Sequence, residues 1–326
     1  DWSSDVCSSD LALFATLLVL AGQSHPVAPQ AASGVISRAA QAGLDEDAAR
    51  SPAGPTMADR RGRAEAIQQE MGRDRMARDG VTMEETAIAN VPVRVFEPGA
   101  GARPGVILLN LHGGGFIVDA GSMTETAPLA ALTQRQVIAI RYRLAPEHPF
   151  PAAVEDALSV YRALRSTRPD ARIVLFGTSA GATLAVELIA RLRLDGEPLP
   201  AALGFFSGTA DLASGGDSLD LFGDPAAASA VLGAYLGAGS PQDVAASPAR
   251  GDLTDWPPTL CISSSRDLLL SSTAAFCRGL DEAGVAANLI VFDGLPHAFW
   301  SYIDAPETDA AFRAMARHLS PTEPWK

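Results

Sequence analysis

Lysine is almost missing from this 326-residue chain: Lys326, the last residue, is the only one, and every other basic residue is an arginine. The arginines are scattered, aromatic residues make up only 6%, and Asp and Glu outnumber Lys and Arg by 38 to 25. The basic, aromatic-interleaved footprint of a nucleic-acid binder is therefore absent, and the net charge of −13 disfavours polyanionic partners. Cysteine is nearly as scarce, at three residues, which excludes a disulfide scaffold. Cys7 falls in an anomalous N-terminal stretch, while Cys261 and Cys277 fall in an expected strand and the helix after it. Neither has the spacing of a metal site, so no metal is expected and two buried thiols are favoured over a disulfide. No apolar run approaches the about 20 residues of a helical membrane span, and there is neither an internal repeat nor a low-complexity tail. What is present is 47% hydrophobic residues with 29 Gly and 23 Pro, the composition of a globular chain of one or two domains.

Residues 1–10, D-W-S-S-D-V-C-S-S-D, fit no helix or strand period and resemble the in-frame translation of an adapter oligonucleotide, so they are set aside as a scar. Removing Asp1, Asp5 and Asp10 still leaves acidic residues in excess. Leu11 to Ala21 is uncharged and too short to span a bilayer, and Val19 and Ala21 are small residues of the kind found at a cleavage site. Residues 11–24 are expected to be a truncated signal peptide, which implies a periplasmic or secreted protein. The other reading is a short N-terminal helix in a cytoplasmic one.

Residues 25–80 are Ala/Arg/Glu-rich with helical spacing from Val35, broken near Ser51-Pro52 and Gly54-Pro55, which predicts two helices. From Val81 the pattern alternates, and two half-buried strands separated at Asn90 form a predicted hairpin. Short apolar runs follow at Val106–Leu111, Val137–Ile140, Arg172–Phe176, Ala202–Phe206, Thr259–Ile262 and Ala287–Phe292. Helix-period segments lie between and after them, at Thr124–Gln134, Ala152–Ser166, Ser179–Leu194, Ser271–Ala283 and Glu307–Leu319. Strands apolar on both faces, alternating with helices, predict an α/β fold with a doubly wound, mostly parallel sheet over residues 81–326. Asp211 to Trp256 lacks a strand and carries one helical stretch near Pro225–Leu236, so it is read as an insertion over the sheet, about residues 211–250.

Gly177-Thr178-Ser179-Ala180-Gly181 follows a buried strand and opens a helix, the context required of a G-x-S-x-G nucleophile elbow. Its turn is so sharp that Gly177 and Gly181 must flank the serine. His112-Gly113-Gly114-Gly115-Phe116 follows another strand, and its consecutive glycines let backbone N–H groups converge. Gly114, Gly115 and the amide of Ala180 are the candidate oxyanion-hole donors. A phosphate cradle would need a following Lys-Ser/Thr or a dinucleotide fingerprint, and neither is present. A serine nucleophile needs a base, and the base needs a carboxylate. Of the five histidines, His25 lies at the leader edge, His112 precedes the glycines, His148 sits in a proline-rich turn, and His318 near the chain end suggests a solvated or helix-end role. His297 follows the last strand, where a loop reaches the sheet's C-terminal edge. Asp267, after the Thr259–Ile262 strand, is the candidate acid, with Asp293 its nearest competitor. The order Ser179, Asp267, His297 is that of an α/β-hydrolase.

These motifs, with Tyr142 to Ala157 (Y-R-L-A-P-E-H-P-F-P-A-A-V-E-D-A), resemble the hormone-sensitive-lipase-like (family IV) bacterial carboxylesterases, from about Val81 to the C-terminus. The resemblance implies an α/β-hydrolase fold with helical cap elements at roughly Val35–Gly80 and around Asp211–Arg250. It also implies a Ser179, Asp267, His297 triad without a cofactor, and hydrolysis of short-acyl esters. Arg143, Glu147 and His148 would brace the oxyanion loop, while His112, Gly113, Phe116, Gly177, Thr178 and Gly181 support the site. Thr178 places the chain in the G-T-S-A-G subgroup, and Leu268 and Ala298 depart from a common Pro and a common Gly beside the acid and the base. A lactone hydrolase or deacetylase on the same triad, an amidase or peptidase, and a non-catalytic binding protein remain open. The partner implied is a small-molecule ester, and a homo-oligomer is compatible with the sequence.

Overall fold

The computed structural model describes residues 34–50 and 54–321, so the expected scar and leader lie outside the described residues. Two N-terminal helices, α1 (Arg38–Ala49) and α2 (Met57–Asp79), precede the sheet. Thr56 and Asp59 start α2 with a reciprocal capping box, and Gly80, in the left-handed region at φ 64°, ends it. The strands are β1 (Val81–Ile88), β2 (Val91–Pro98), β3 (Val106–Leu111), β4 (Gln136–Ile140), β5 (Arg172–Thr178), β6 (Leu203–Phe206), β7 (Thr259–Arg266) and β8 (Ala287–Pro296). They form one sheet in the order β1-β2-β4-β3-β5-β6-β7-β8. β1 and β2 pair antiparallel, β2 meets β4 antiparallel, and every pairing from β4 to β8 is parallel. Ala89 and Asn90 both take positive φ, which gives the hairpin a two-residue turn whose twist suits the flanking strands.

Between the strands lie α3 (Thr126–Thr133), α4 (Ala152–Thr167), α5 (Ala180–Leu194), α6 (Asp217–Phe222), α7 (Pro225–Leu236) and α8 (Leu270–Glu282), and α9 (Pro306–Leu319) closes the described chain. Apolar residues of α4, α5 and α8 fill a core on one face of the sheet, and those of α3 and α9 fill a second core on the other. This is the doubly wound α/β architecture expected from the two-sided apolar strands. Among the described residues, no helix is long and apolar enough to cross a membrane.

Three elements depart from the sequence expectation. β7 continues past its apolar run through Ser263 and Ser264, which are fully buried because their hydroxyls are satisfied by Asp267 and by the Pro296 carbonyl. β8 is not buried on both faces: it is the edge strand, with Leu289 and Val291 exposed. α6 is a single short helix bounded by Gly216 and Gly223, too brief to leave a periodic signal. Cys261 and Cys277 are buried and free, as expected of core thiols.

The parallel strands all point one way, so the segments after β3, β5, β6, β7 and β8 meet along one edge of the sheet. Those segments carry His112, Ser179, Ser207, Asp267 and His297.

Candidate active site

Ser179 sits between the last residue of β5 and the first of α5, at φ 58° and ψ −123°, a strained conformation for a residue with a Cβ. The turn is possible because Gly177 and Gly181, two residues to either side, have no side chains. A Cβ on Gly181 would stand 1.9 Å from the Leu111 carbonyl oxygen, and one on Gly177 would stand 2.3 Å from the Gly181 backbone. The Ser179 amide is fixed to the Phe206 carbonyl at 2.9 Å.

His297 lies beyond β8, and its Nε2 is 2.9 Å from Ser179 Oγ. On the opposite edge of the ring, Nδ1 stands 2.6 Å from Asp267 Oδ1. Asp267 is fully buried and accepts further hydrogen bonds from Ser207 Oγ, from Ser263 Oγ at 2.7 Å and from the Leu269 amide at 2.8 Å. Burial works to raise its pKa, but the His297 ring and these donors outweigh it and hold the carboxyl below the ordinary range. An ionised Asp267 keeps the proton on Nδ1 and leaves Nε2 as the acceptor facing the serine. Asp293, the competing acid, is exposed and accepts from Ser265 Oγ at 2.7 Å.

Gly113 packs against the serine, since a Cβ there would lie 3.4 Å from Ser179 Cβ. Gly114 is at φ 113°, where a Cβ would be 2.2 Å from the Val118 carbonyl oxygen, so the loop closes only with glycine at this position. Gly114, Gly115, Ala180, Ser179 and His297 all border one pocket of about 600 Å³. Ala180 opens α5, so its amide belongs to the helix end whose N–H groups lack an intrahelical partner. Much of the remaining wall is apolar and comes from the 211–242 segment and the turn before α8, through Leu212, Leu219, Val231, Leu232, Leu236 and Leu268.

The bracing of the glycine loop differs in part from the sequence expectation. Tyr142 stacks on His112 with ring centroids 4.1 Å apart and donates its hydroxyl to the His112 carbonyl at 2.7 Å. Glu147 acts through Arg61, whose guanidinium pairs with it and also donates to the Ile117 carbonyl at 2.9 Å. Arg143 instead grips Asp156 and the Ala152 carbonyl, securing the first turns of α4, and His148 is exposed. His318 takes the helix-end place, half-buried in the last turn of α9, where it hydrogen-bonds the Leu203 carbonyl at 3.0 Å. Phe116 stacks on Tyr235 of α7 at 3.6 Å, and the Tyr235 hydroxyl donates to the buried Glu187 of α5, tying the pocket wall to the sheet domain.

Several buried polar residues around the site had no sequence signal. Asp119 accepts from Ser122 and Arg94 beneath the glycine loop. Gln68 of α2 receives the Met123 amide, and Arg75 of the same helix donates to the Thr124 and Trp300 carbonyls. Glu125 accepts from Thr178 Oγ1 at 2.9 Å and from Ser301 Oγ. Burial raises the Glu125 pKa from the ordinary 4.5 to about 7, against the pull of the Ser301 and Thr178 hydroxyls and of Arg75. The folded chain therefore holds a proton that the unfolded chain has already released between these two values. Stability is expected to fall by about 3 kcal/mol as pH rises through that window and to level off above it. Urea denaturation at pH 5 and pH 8, compared with Glu125→Gln, checks this: the variant is expected to lack that drop, and parallel pH trends in the two proteins would refute it. Among the described residues, no group of three His, Cys, Asp or Glu side chains is placed to hold a metal ion.

The sequence matches a family profile described as alpha/beta hydrolase fold over residues 108–301. It is 37% identical over 229 residues to an acetyl-hydrolase of Streptomyces hygroscopicus, covering 66% of this chain and 75% of that protein. It is 32% identical over 231 residues to an esterase of Acinetobacter venetianus, covering 67% and 75%. The fold aligns with TM-score 0.77 on the crystal structure of an esterase from the bacterial hormone-sensitive lipase family, at 30% identity and over 89% of this chain and 99% of that one. With this fold, this match across its central residues and these relatives, the chain belongs to the α/β-hydrolase family, in the hormone-sensitive-lipase-like branch of carboxylic ester hydrolases.

Proposed function

We propose that the protein is a serine carboxylesterase for short-acyl esters, working through an acyl-enzyme on Ser179. The observation that carries the reading is the continuous chain from Ser179 Oγ to His297 Nε2 at 2.9 Å and from His297 Nδ1 to Asp267 at 2.6 Å, opening on the glycine-lined pocket. His297 takes the Ser179 proton as Oγ attacks the ester carbonyl carbon. The amides of Gly114, Gly115 and Ala180 donate to the oxyanion that forms. Collapse of the tetrahedral adduct breaks the bond to the alcohol oxygen, which leaves with the proton from His297. Water then adds to the acyl-enzyme with His297 as base, releasing the acid and restoring Ser179. Asp267 holds the ring orientation and stabilises the imidazolium throughout.

The 211–250 segment serves as a cap that shapes the acyl and alcohol pockets, and the acetyl-hydrolase relative favours small acyl groups, including deacetylation of larger alcohols. Turnover of 4-nitrophenyl acetate, butyrate, octanoate and palmitate, with labelling by a serine-reactive phosphonate, tests the reading. We expect acetate and butyrate to exceed palmitate by at least about 10²-fold in kcat/KM, and the phosphonate to be found on Ser179 alone. A folded protein that neither turns over short esters nor takes the label at Ser179 is a binding protein rather than an esterase.

A further inference from the structure

Behind the nucleophile, three loops converge on one side chain that the reaction itself does not use. Glu125 is buried at the N-cap of α3, and its two carboxylate oxygens are engaged by hydroxyls from two different catalytic loops. Thr178, which donates to Oε2 at 2.9 Å, immediately precedes Ser179. Ser301, which donates to Oε1, closes the turn Phe299–Ser301 that follows His297. The third loop is that of the oxyanion glycines. The Glu125 amide donates to the Gly121 carbonyl at 3.0 Å, and a Cβ on Gly121 would stand 3.1 Å from the Glu125 carboxyl, so this loop lies directly against it. Arg75 of α2, donating to the carbonyls of Thr124 and Trp300, bridges the same two segments from outside. Arg75 is a charged group whose field reaches Glu125, and it is itself paired with Asp304 at 2.8 Å.

We propose that Glu125 is a positioning residue for ester hydrolysis: by holding Thr178 and Ser301 on one carboxyl group, it fixes the separation of Ser179 from His297. The inference rests on the triad described above. Ser179 occupies a strained backbone conformation, which persists only where its surroundings over-determine it, and the Thr178 tether is one such restraint. His297 is carried by a loop whose next turn is tethered to the same group, so the two reacting side chains share one anchor. A displacement of about 1 Å between reacting groups costs on the order of 10² in rate. Glu125 does not line the substrate pocket, so its loss acts on the chemical step and not on substrate binding.

The test measures kcat and KM separately for 4-nitrophenyl butyrate, with urea stability, on the full chain carrying Glu125→Ala, Thr178→Val, both together, or Thr178→Ser. Glu125→Ala and Thr178→Val are each expected to lower kcat about tenfold or more while KM changes less than about twofold. The double variant is expected to be no slower than Glu125→Ala alone, because both changes break one link. Thr178→Ser, which restores the hydroxyl, is expected to recover at least about threefold over Thr178→Val. Where Glu125→Ala does not fold, the Thr178→Val and Thr178→Ser pair with Ser301→Ala carries the same comparison. An unchanged kcat, a loss shared equally with KM, or Thr178→Ser as slow as Thr178→Val overturns the proposal. Full turnover by Ser179→Ala would instead overturn the triad on which it rests.

Discussion

Exchanging Ser179 for alanine is expected to lower kcat for short 4-nitrophenyl esters by at least about 10⁴-fold, and Asp267→Asn is expected to do nearly as much. The serine variant loses the nucleophile outright. The asparagine variant keeps the shape of the site and loses its proton inventory. Asp267 Oδ1 stands 2.6 Å from His297 Nδ1 and its other oxygen accepts from Ser207 and Ser263, so a carboxylate there is acceptor-only on every side. An amide at this position turns its NH₂ toward Nδ1, which selects the tautomer with the proton on Nε2. That nitrogen then cannot take the proton from Ser179, 2.9 Å away. The amide oxygen, left in the place of the other carboxylate oxygen, still accepts from the Ser207 and Ser263 hydroxyls, so the fold is expected to persist with unchanged circular dichroism. Combining the two substitutions is expected to add little to either alone, because the groups work as one unit. An Asp267→Asn enzyme within about tenfold of the parent, with Asp293→Asn the slower of the two, would move the acid to Asp293.

Gly181→Ala is expected to be the most damaging single methyl in the described chain, destabilising the fold by at least about 3 kcal/mol or preventing its recovery as soluble protein. The added carbon would lie 1.9 Å from the Leu111 carbonyl oxygen and 2.6 Å from that of His112. Both are backbone atoms at the end of β3, a central strand paired on each side by β4 and β5, so neither has room to retreat. Relief requires α5 to move away from the sheet, and α5 carries Ser179 at its start. Urea denaturation of Gly181→Ala against the parent measures this. A loss under about 1 kcal/mol would mean that α5 does not approach β3 this closely. Gly62, exposed on α2 with nothing within 4 Å of a built Cβ, provides the control, since alanine there is expected to be neutral or mildly stabilising.

The strand-helix alternation, the elbow around Ser179, the glycine loop after β3 and the position of His297 after the last strand were all legible because each is a local pattern. A glycine that must approach backbone, or a strand apolar on both faces, carries its reason in its own neighbourhood. The choice of Asp267 over Asp293 rested on strand order together with the family resemblance, since both follow or end a strand run; what separates them in the structure is that one is buried on His297 and the other exposed beside Ser265. Arg143 shows the opposite limit. Its motif placed it near the oxyanion loop, but a guanidinium goes where a carboxylate can meet it, and Asp156 offers one from the start of α4.

By itself the sequence determined the layer architecture, the candidate nucleophile and base and the strand-free insertion over the sheet, because periodicity and glycine placement are written residue by residue. Only the tertiary structure decided the supports of the site: Asp119 with Arg94, Gln68 and Arg75 on the buried face of α2, and Glu125 between Thr178 and Ser301. Buried polar groups have no sequence signature of their own, since an acidic or basic residue on a helix reads as solvent-facing. Partners as distant along the chain as Arg75 and Trp300 become neighbours only when the sheet has brought its loops to one edge.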